Sequence, residues 1–225
     1  QYGLRFTADK FARKSFFVVL LGPDGSGKTT MAKFLLDDVV NKGSSFNHGH
    51  YIHGRWGFLP NIGRLKGEAR SLVTSLKFDT VEYVEPKAYS SKRISTYMGY
   101  YFIDYLMGTF KLILNRGENG ITVADRYFYD YFITDHFRNY PRIFEFIYFK
   151  LLPSPDLIVY LEADAEVITA RKPELPVEKI RLQQTRIKKL IMLLPNTVRL
   201  TANVKGESQQ KLKELINSKR ADLSG

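Results

Sequence analysis

Apolar residues in this chain come in two rhythms. Residues 15–22 (SFFVVLLG), 121–125 (ITVAD) and 156–163 (DLIVYLEA) are short, nearly unbroken apolar runs. Runs of that kind predict strands buried on both faces, as in parallel sheets. Residues 198–202 (VRLTA) predict a weaker fourth strand. Elsewhere the spacing lengthens. In TTMAKFLLDDVVNKG, Met31, Phe34, Leu35 and Val39 recur at helical intervals and Gly43 supplies a stop. Residues 206–220 (GESQQKLKELINSKR) predict a polar, amphipathic closing helix. Strands alternating with helices predict an α/β fold with a parallel, doubly wound sheet. No internal repeat or Pro/Gly/Ser-rich linker interrupts it, so one domain is expected over residues 15–225. Residues 1–14 read as an N-terminal extension or the trimmed edge of a longer polypeptide.

One segment admits two meanings. Residues 94–114 (ISTYMGYYFIDYLMGTFKLIL) carry only Asp104 and Lys111 as charges and approach the length of a bilayer span. Four tyrosines, two glycines and a mid-segment carboxylate suit hydrocarbon poorly. A long helix buried between the sheet and its neighbours is the favoured expectation, and contact with a membrane surface the lesser one.

Chemistry enters at the end of the first strand. Gly22-Pro23-Asp24-Gly25-Ser26-Gly27-Lys28-Thr29 fits the P-loop (Walker A) pattern G-x-x-x-x-G-K-[ST]. Gly22, Gly25 and Gly27 let successive N–H groups turn toward one anion, where a Cβ would obstruct. Ser26 and Thr30 add their amides to that nest, Lys28 reaches β and γ phosphates, and the Thr29 hydroxyl can ligate Mg²⁺. The helix opening there aims its positive end at the same place. This loop is expected to bind a nucleoside triphosphate. Asp24 is unusual in such a cradle, since a carboxylate repels phosphate. It either braces the loop's own amides or points toward an acceptor hydroxyl.

The strand ending in Asp125-Arg126-Tyr127 brings a second group to the carboxyl edge, where sites of open α/β sheets gather. Asp125 can hold Mg²⁺ or take a proton, and Arg126 can grip a phosphate or carboxylate in a fork. An ion pair closing the strand end is the plainer alternative. Residues 170–189 (ARKPELPVEKIRLQQTRIKK) are basic and broken by Pro173 and Pro176. They predict either a solvated helix surface or a lid that swings Arg171, with Lys172, onto phosphoryl oxygens.

GPDGSGKTT, then DRY, then LLPSPDLIVYLEADAEVITARK resembles, from about Phe16 to Ile216, the thymidylate kinase family of P-loop nucleoside monophosphate kinases. The resemblance implies a three-layer P-loop NTPase fold with a parallel five-stranded sheet flanked by helices, ATP and Mg²⁺ as cofactors, and commonly a homodimer. It places Asp24 on the acceptor's sugar hydroxyl, Asp125 and Arg126 beside the acceptor phosphate, and Arg171 and Lys172 at the start of a lid. The chain departs from the family in three places. YIHGRWGFLP (51–60) stands where an Arg-Glu-Pro-Gly-Gly segment is usual, with Arg55 as the substitute arginine. FYDYFITDHFRN replaces the segment that helps hold thymine. Asp130 sits at or near a usual Ser. HGRWGFLP, DRYFYDYFITD and ARKPELP look more like a divergent subgroup that often accompanies bacterial surface-polysaccharide biosynthesis.

Composition adjusts the picture at its margins. The charge of +11, from 34 basic and 23 acidic residues, suits phosphate ligands. Nucleic acid is disfavoured because no long basic run appears. With no cysteine, thiolate metal sites and disulfides are excluded, which fits a cytoplasmic setting. His48, His50 and His53 alternate without a carboxylate among them and read as structural or pocket-lining. Trp56 either stacks on an acceptor ring or fills core, while Tyr127 and Tyr129 border the acceptor. The expected activity is ATP-dependent phosphotransfer to dTMP or a similar monophosphate. The rivals are a sugar, glycan or other phosphorylated intermediate as acceptor, and a nucleotide-hydrolysing switch module.

Overall fold

A computed structural model describes residues 15–41, 46–60, 89–114, 120–201 and 206–224. The elements are β1 (Ser15–Leu21), α1 (Lys28–Asn41), β2 (His48–His53), α2 (Ser91–Leu114), β3 (Gly120–Asp125), α3 (Asp130–Ile133), a 3₁₀ turn (Asp135–Phe137), α4 (Ile143–Leu151), β4 (Leu157–Glu162), α5 (Ala165–Arg171), α6 (Val177–Ile191), β5 (Thr197–Thr201) and α7 (Glu207–Ser224). The expectations placed on residues 1–14 and on Gly43 fall outside the described residues.

The strands form one parallel sheet in the order β2-β3-β1-β4-β5. Side chains alternate across it as the pleat requires. Phe17, Val19 and Leu21 face a core shared with Tyr97, Met98, Tyr101, Tyr105, Tyr148 and Ile187 of α2, α4 and α6. Phe16, Val18 and Leu20 face the opposite core, with Met31 and Leu35 of α1 and Leu212 and Ile216 of α7. The result is the expected three-layer α/β architecture. β1 is buried on both faces, which is why its sequence shows no polar alternation.

β2 is the strand that hydrophobic pattern leaves unread. It is an edge strand in which only Ile52 is buried, so its letters show no strand-like apolar run. Its parallel register on β3, His48 opposite Gly120 through His53 opposite Asp125, fixes it nonetheless.

Segment 94–114 is a helix, buried on one side only. Ile94, Tyr97, Met98, Tyr101 and Tyr105 face the sheet, whereas Ile103, Met107 and Phe110 form an exposed stripe at helical spacing. Among the described residues, no helix is long and apolar enough to cross a membrane. Asp104, fully buried, accepts hydrogen bonds from the backbone of Gly57 (3.2 Å) and Leu59 (2.8 Å). Trp56 packs on the helix at Gly108, where any Cβ would overlap its indole, and also stacks with His50. The tryptophan is thus seated on α2.

Replacing Gly108 by Val is expected to destabilise the fold by about 1–3 kcal/mol through overpacking. A urea midpoint that did not move would mean the indole is not held against the helix.

Candidate active site

The phosphate loop joins β1 to α1 with the geometry its glycines demand. Gly27 takes φ 94°, a region an L side chain enters only with strain. A Cβ on Gly22 would overlap the Ser26 side chain. Ser26 is buried, and its Oγ has no hydrogen-bond partner. The Lys28 ammonium folds back over the loop, donating 2.8 Å bonds to the carbonyls of Gly22 and Pro23. Burial lowers its pKa, and the carboxylates of Asp24, Asp130 and Asp125 partly offset that. Thr29 and Thr30 occupy the exposed first turn of α1.

Parallel pairing sets Leu20 opposite Asp125, so β3 delivers its carboxylate to the first turn of α1. Thr29 Oγ1 donates 2.5 Å to Asp125 Oδ2, while the buried Asp125 Oδ1 has no hydrogen-bond partner among the described residues. A hydroxyl beside a carboxylate with one unpartnered oxygen fits a Mg²⁺ ion that takes its remaining ligands from phosphates and water. Two neighbours join them: His53, read from the sequence as structural or pocket-lining, and Tyr51, which sequence reasoning missed. His53 Nδ1 lies 3.5 Å from Asp125, and the Tyr51 hydroxyl donates to it at 3.3 Å. Both come from the edge strand that hydrophobic pattern did not predict.

Arg126 holds φ 74°, the left-handed region, immediately after β3. The turn throws its guanidinium back across the strand ends. Nη2 pairs with Asp24 Oδ1, and Nε lies 3.7 Å from Asp130 Oδ2. Asp24 is thus turned to Arg126, with the same Oδ1 lying 3.6 Å from the Lys28 ammonium. Burial works against its ionisation, but Lys28, Arg126 and Lys172 together hold its carboxyl below the ordinary value. Asp130 behaves oppositely. Burial pushes its carboxyl up to about 6, outweighing Lys28 and Arg126, and Asp24 and Asp125 add a smaller repulsion.

Beyond Arg126 opens a cavity of about 290 Å³, lined by Gly54, Arg55, Tyr89, Tyr97, Tyr101, Tyr105, Arg126, Tyr127, Asp130, Tyr131 and Phe137. Arg55 lies with its guanidinium 4.3 Å from the centre of the Tyr101 ring and donates to the Leu59 carbonyl. Tyr127 is buried and donates from its hydroxyl to Pro153 O. The structure thus gathers Lys28, Thr29, Asp24, Asp125, Arg126, Arg55 and Tyr127 at one edge. Tyr97, Tyr101 and Tyr105 were legible as an i, i+4, i+8 face of α2. Asp130 had shown only as an unusual letter.

The basic stretch 170–189 divides. Arg171 is exposed at the end of α5, whereas Lys172 packs its Cβ against Gly25 and pairs with Glu174 at 3.1 Å. Most of α6 is anchored. Arg186 pairs with Asp135 at 2.5 Å, Lys188 with Glu162 at 2.5 Å, and Gln184 donates 2.6 Å to Ala163 O.

The sheet order and the loop between β1 and α1 define a P-loop α/β fold. No protein-family model matches the chain, and no curated protein matches it in sequence. Among solved structures it is similar to thymidylate kinase from Candida albicans, with 18% identity, a TM-score of 0.61 and 92% of each chain covered. It is also similar to thymidylate kinase from Ehrlichia chaffeensis, with 16% identity, a TM-score of 0.54, and coverage of 90% of this chain and 98% of that one. At such identities the likeness is one of fold, and the fold is the one its motif order implies.

Asp130→Asn is expected to stabilise the native state by about 1–3 kcal/mol at pH 7.5. Between the ordinary carboxylate range and about pH 6, native Asp130 keeps a proton that the unfolded chain has released. The native state therefore loses stability as pH rises through that window. The advantage of the variant should be full above pH 7 and vanish below pH 4, as read from thermal midpoints against pH.

Proposed function

We propose that the chain is a Mg²⁺-dependent P-loop phosphotransferase that moves the γ-phosphate of ATP to a small acceptor seated in the tyrosine-walled cavity. A nucleoside monophosphate, dTMP or similar, is the acceptor that likeness to thymidylate kinase structures supports. One observation carries the reading: the phosphate loop, the Thr29–Asp125 pair and the cavity meet at a single carboxyl edge of the sheet.

Lys28 and the amides of Gly22 to Thr30 hold the triphosphate in this scheme. Thr29 and Asp125 hold Mg²⁺, which neutralises charge on the β and γ phosphates when bound. Arg126 and Arg55 fix the acceptor, with Asp24 beside its sugar hydroxyl and Tyr127 in the wall. Arg171, with Lys172, closes over the phosphoryl oxygens as charge spreads among them. Positioning and electrostatics supply most of the acceleration, because phosphoryl transfer asks little covalent chemistry of the protein. We place the reaction in the cytoplasm and assign the working form as a homodimer.

A second reading takes a sugar, glycan or other phosphorylated intermediate as acceptor. It is favoured by Asp130, a carboxylate set beside Arg126 on the cavity wall.

Lys28→Ala should remove ATP-dependent transfer while leaving the circular dichroism of the fold unchanged. ADP release would be followed with dTMP, other monophosphates, unphosphorylated nucleosides and sugars in turn. Undiminished turnover in the variant would end the assignment.

A further inference from the structure

Arg126 is the natural grip for an acceptor phosphate, yet one of its two forks already faces carboxylates. Nε and Nη2 form one of the two forks with which a guanidinium takes a phosphate bidentately. Here Nη2 meets Asp24 and Nε faces Asp130. Arg55, the other cation among the described residues lining the cavity, lies 4.3 Å from the centre of the Tyr101 ring and donates to a backbone carbonyl. Among the described residues lining the cavity, Arg55 and Arg126 stand beside Asp130, and Asp24 pairs with Arg126. Lys28 is turned to the phosphate loop. A dianionic phosphate monoester approaching that fork of Arg126 would meet two carboxylates and displace at least one. A neutral hydroxyl meets no such cost, and it finds a carboxylate beside it.

We propose that Asp130 sets the acceptor class of this phosphotransferase, which transfers to a hydroxyl group of a neutral, ring-bearing compound, a nucleoside or glycoside, with Asp130 receiving the hydroxyl proton. The inference rests on the donor half of the function proposed above and sharpens its second acceptor class. In the step, the acceptor oxygen forms a bond to the γ-phosphorus as the bond from that phosphorus to the bridging oxygen breaks. That electron pair leaves with the nucleoside diphosphate, the hydroxyl proton passes to an Asp130 oxygen, and nothing is oxidised or reduced. The aromatic wall holds the ring of the acceptor by stacking. Asp24, on the other flank of Arg126, keeps the guanidinium aligned.

Two measurements test this on the full chain. First, methyl phosphate, a minimal phosphate monoester, is titrated calorimetrically into protein whose donor loop is filled with Mg²⁺ and a non-hydrolysable ATP analogue. The wild type should show no saturable uptake at about 1 mM, and Asp130→Asn should gain affinity by about tenfold or more. Asp130→Ser serves in its place should the Asn variant not fold. Wild-type saturation below about 1 mM, or no gain in the variant, overturns the proposal. Second, ADP release is compared for nucleosides and aryl glycosides against nucleoside monophosphates. Hydroxyl acceptors should be preferred, with kcat falling about 100-fold or more in Asp130→Asn and KM little changed. Preference for monophosphates, with Asp130→Asn unimpaired, overturns it. Where no acceptor turns over, the titration alone decides. Failure to take up the ATP analogue at all brings down the phosphotransferase reading and the proposal with it. That outcome is separable because it appears before any methyl phosphate is added.

Discussion

The pairing of β1 with β3, Leu20 opposite Asp125, is the constraint on which the rest of the site depends. It sets the carboxylate of one strand against the first helical turn that follows the other. A slip of one residue would turn Asp125 to the opposite face of the sheet and break its bond to Thr29. Burial enforces the register. Val18, Val19, Leu20 and Leu21 are all fully buried, so neither face of β1 tolerates displacement. The same edge gains a third anchor where the Gly54 amide donates to Asp125 O at 2.9 Å, tying the end of β2 to that of β3. Phosphate loop, carboxylate and the turn that carries Arg55 therefore share one rigid support.

Around that support lies a cluster of charges whose members depend on one another. Arg126 spends backbone strain to turn toward Asp24 and Asp130, and the two carboxylates respond differently to nearly the same neighbours. Asp24 sits closer to Lys28 and Lys172 and stays ionised below its usual range. Asp130 sits deeper, and desolvation prevails over attraction. Unequal environments around paired carboxylates are how one cation can align one acid while leaving the other basic enough to accept a proton near neutrality. Asp104 plays a separate part: its bonds to Gly57 and Leu59 hold the turn that carries Arg55.

What could be read from letters alone follows from where each constraint is stored. The phosphate loop is legible because its requirements are local: glycine at tight φ, lysine and threonine at fixed offsets from the anion. β1, β3 and β4 are legible because burial on both faces leaves them short, mostly apolar runs. β2 escapes because an edge strand with one buried residue owes its existence to register on β3, which is a long-range property. Asp130 shows as an anomaly of type, but its partners are distant in sequence or one turn away through an unusual φ. The tyrosines of residues 94–114 pose a question about membranes in the sequence and become a cavity wall in three dimensions. Only the sheet decides which side of their helix faces inward.

The wall of that cavity has a last consequence. Tyr105 and Tyr127 donate their hydroxyls to the backbone oxygens of Gly54 and Pro153, at 3.2 and 3.3 Å. At these two positions of the wall the polar tips are already satisfied. Apolar walls of that sort discriminate weakly between guests that differ by one substituent, on the order of tenfold to a hundredfold. Were a ring-bearing acceptor seated there as proposed, fidelity would come from the charged rim, and the interior would be permissive toward the identity of that ring.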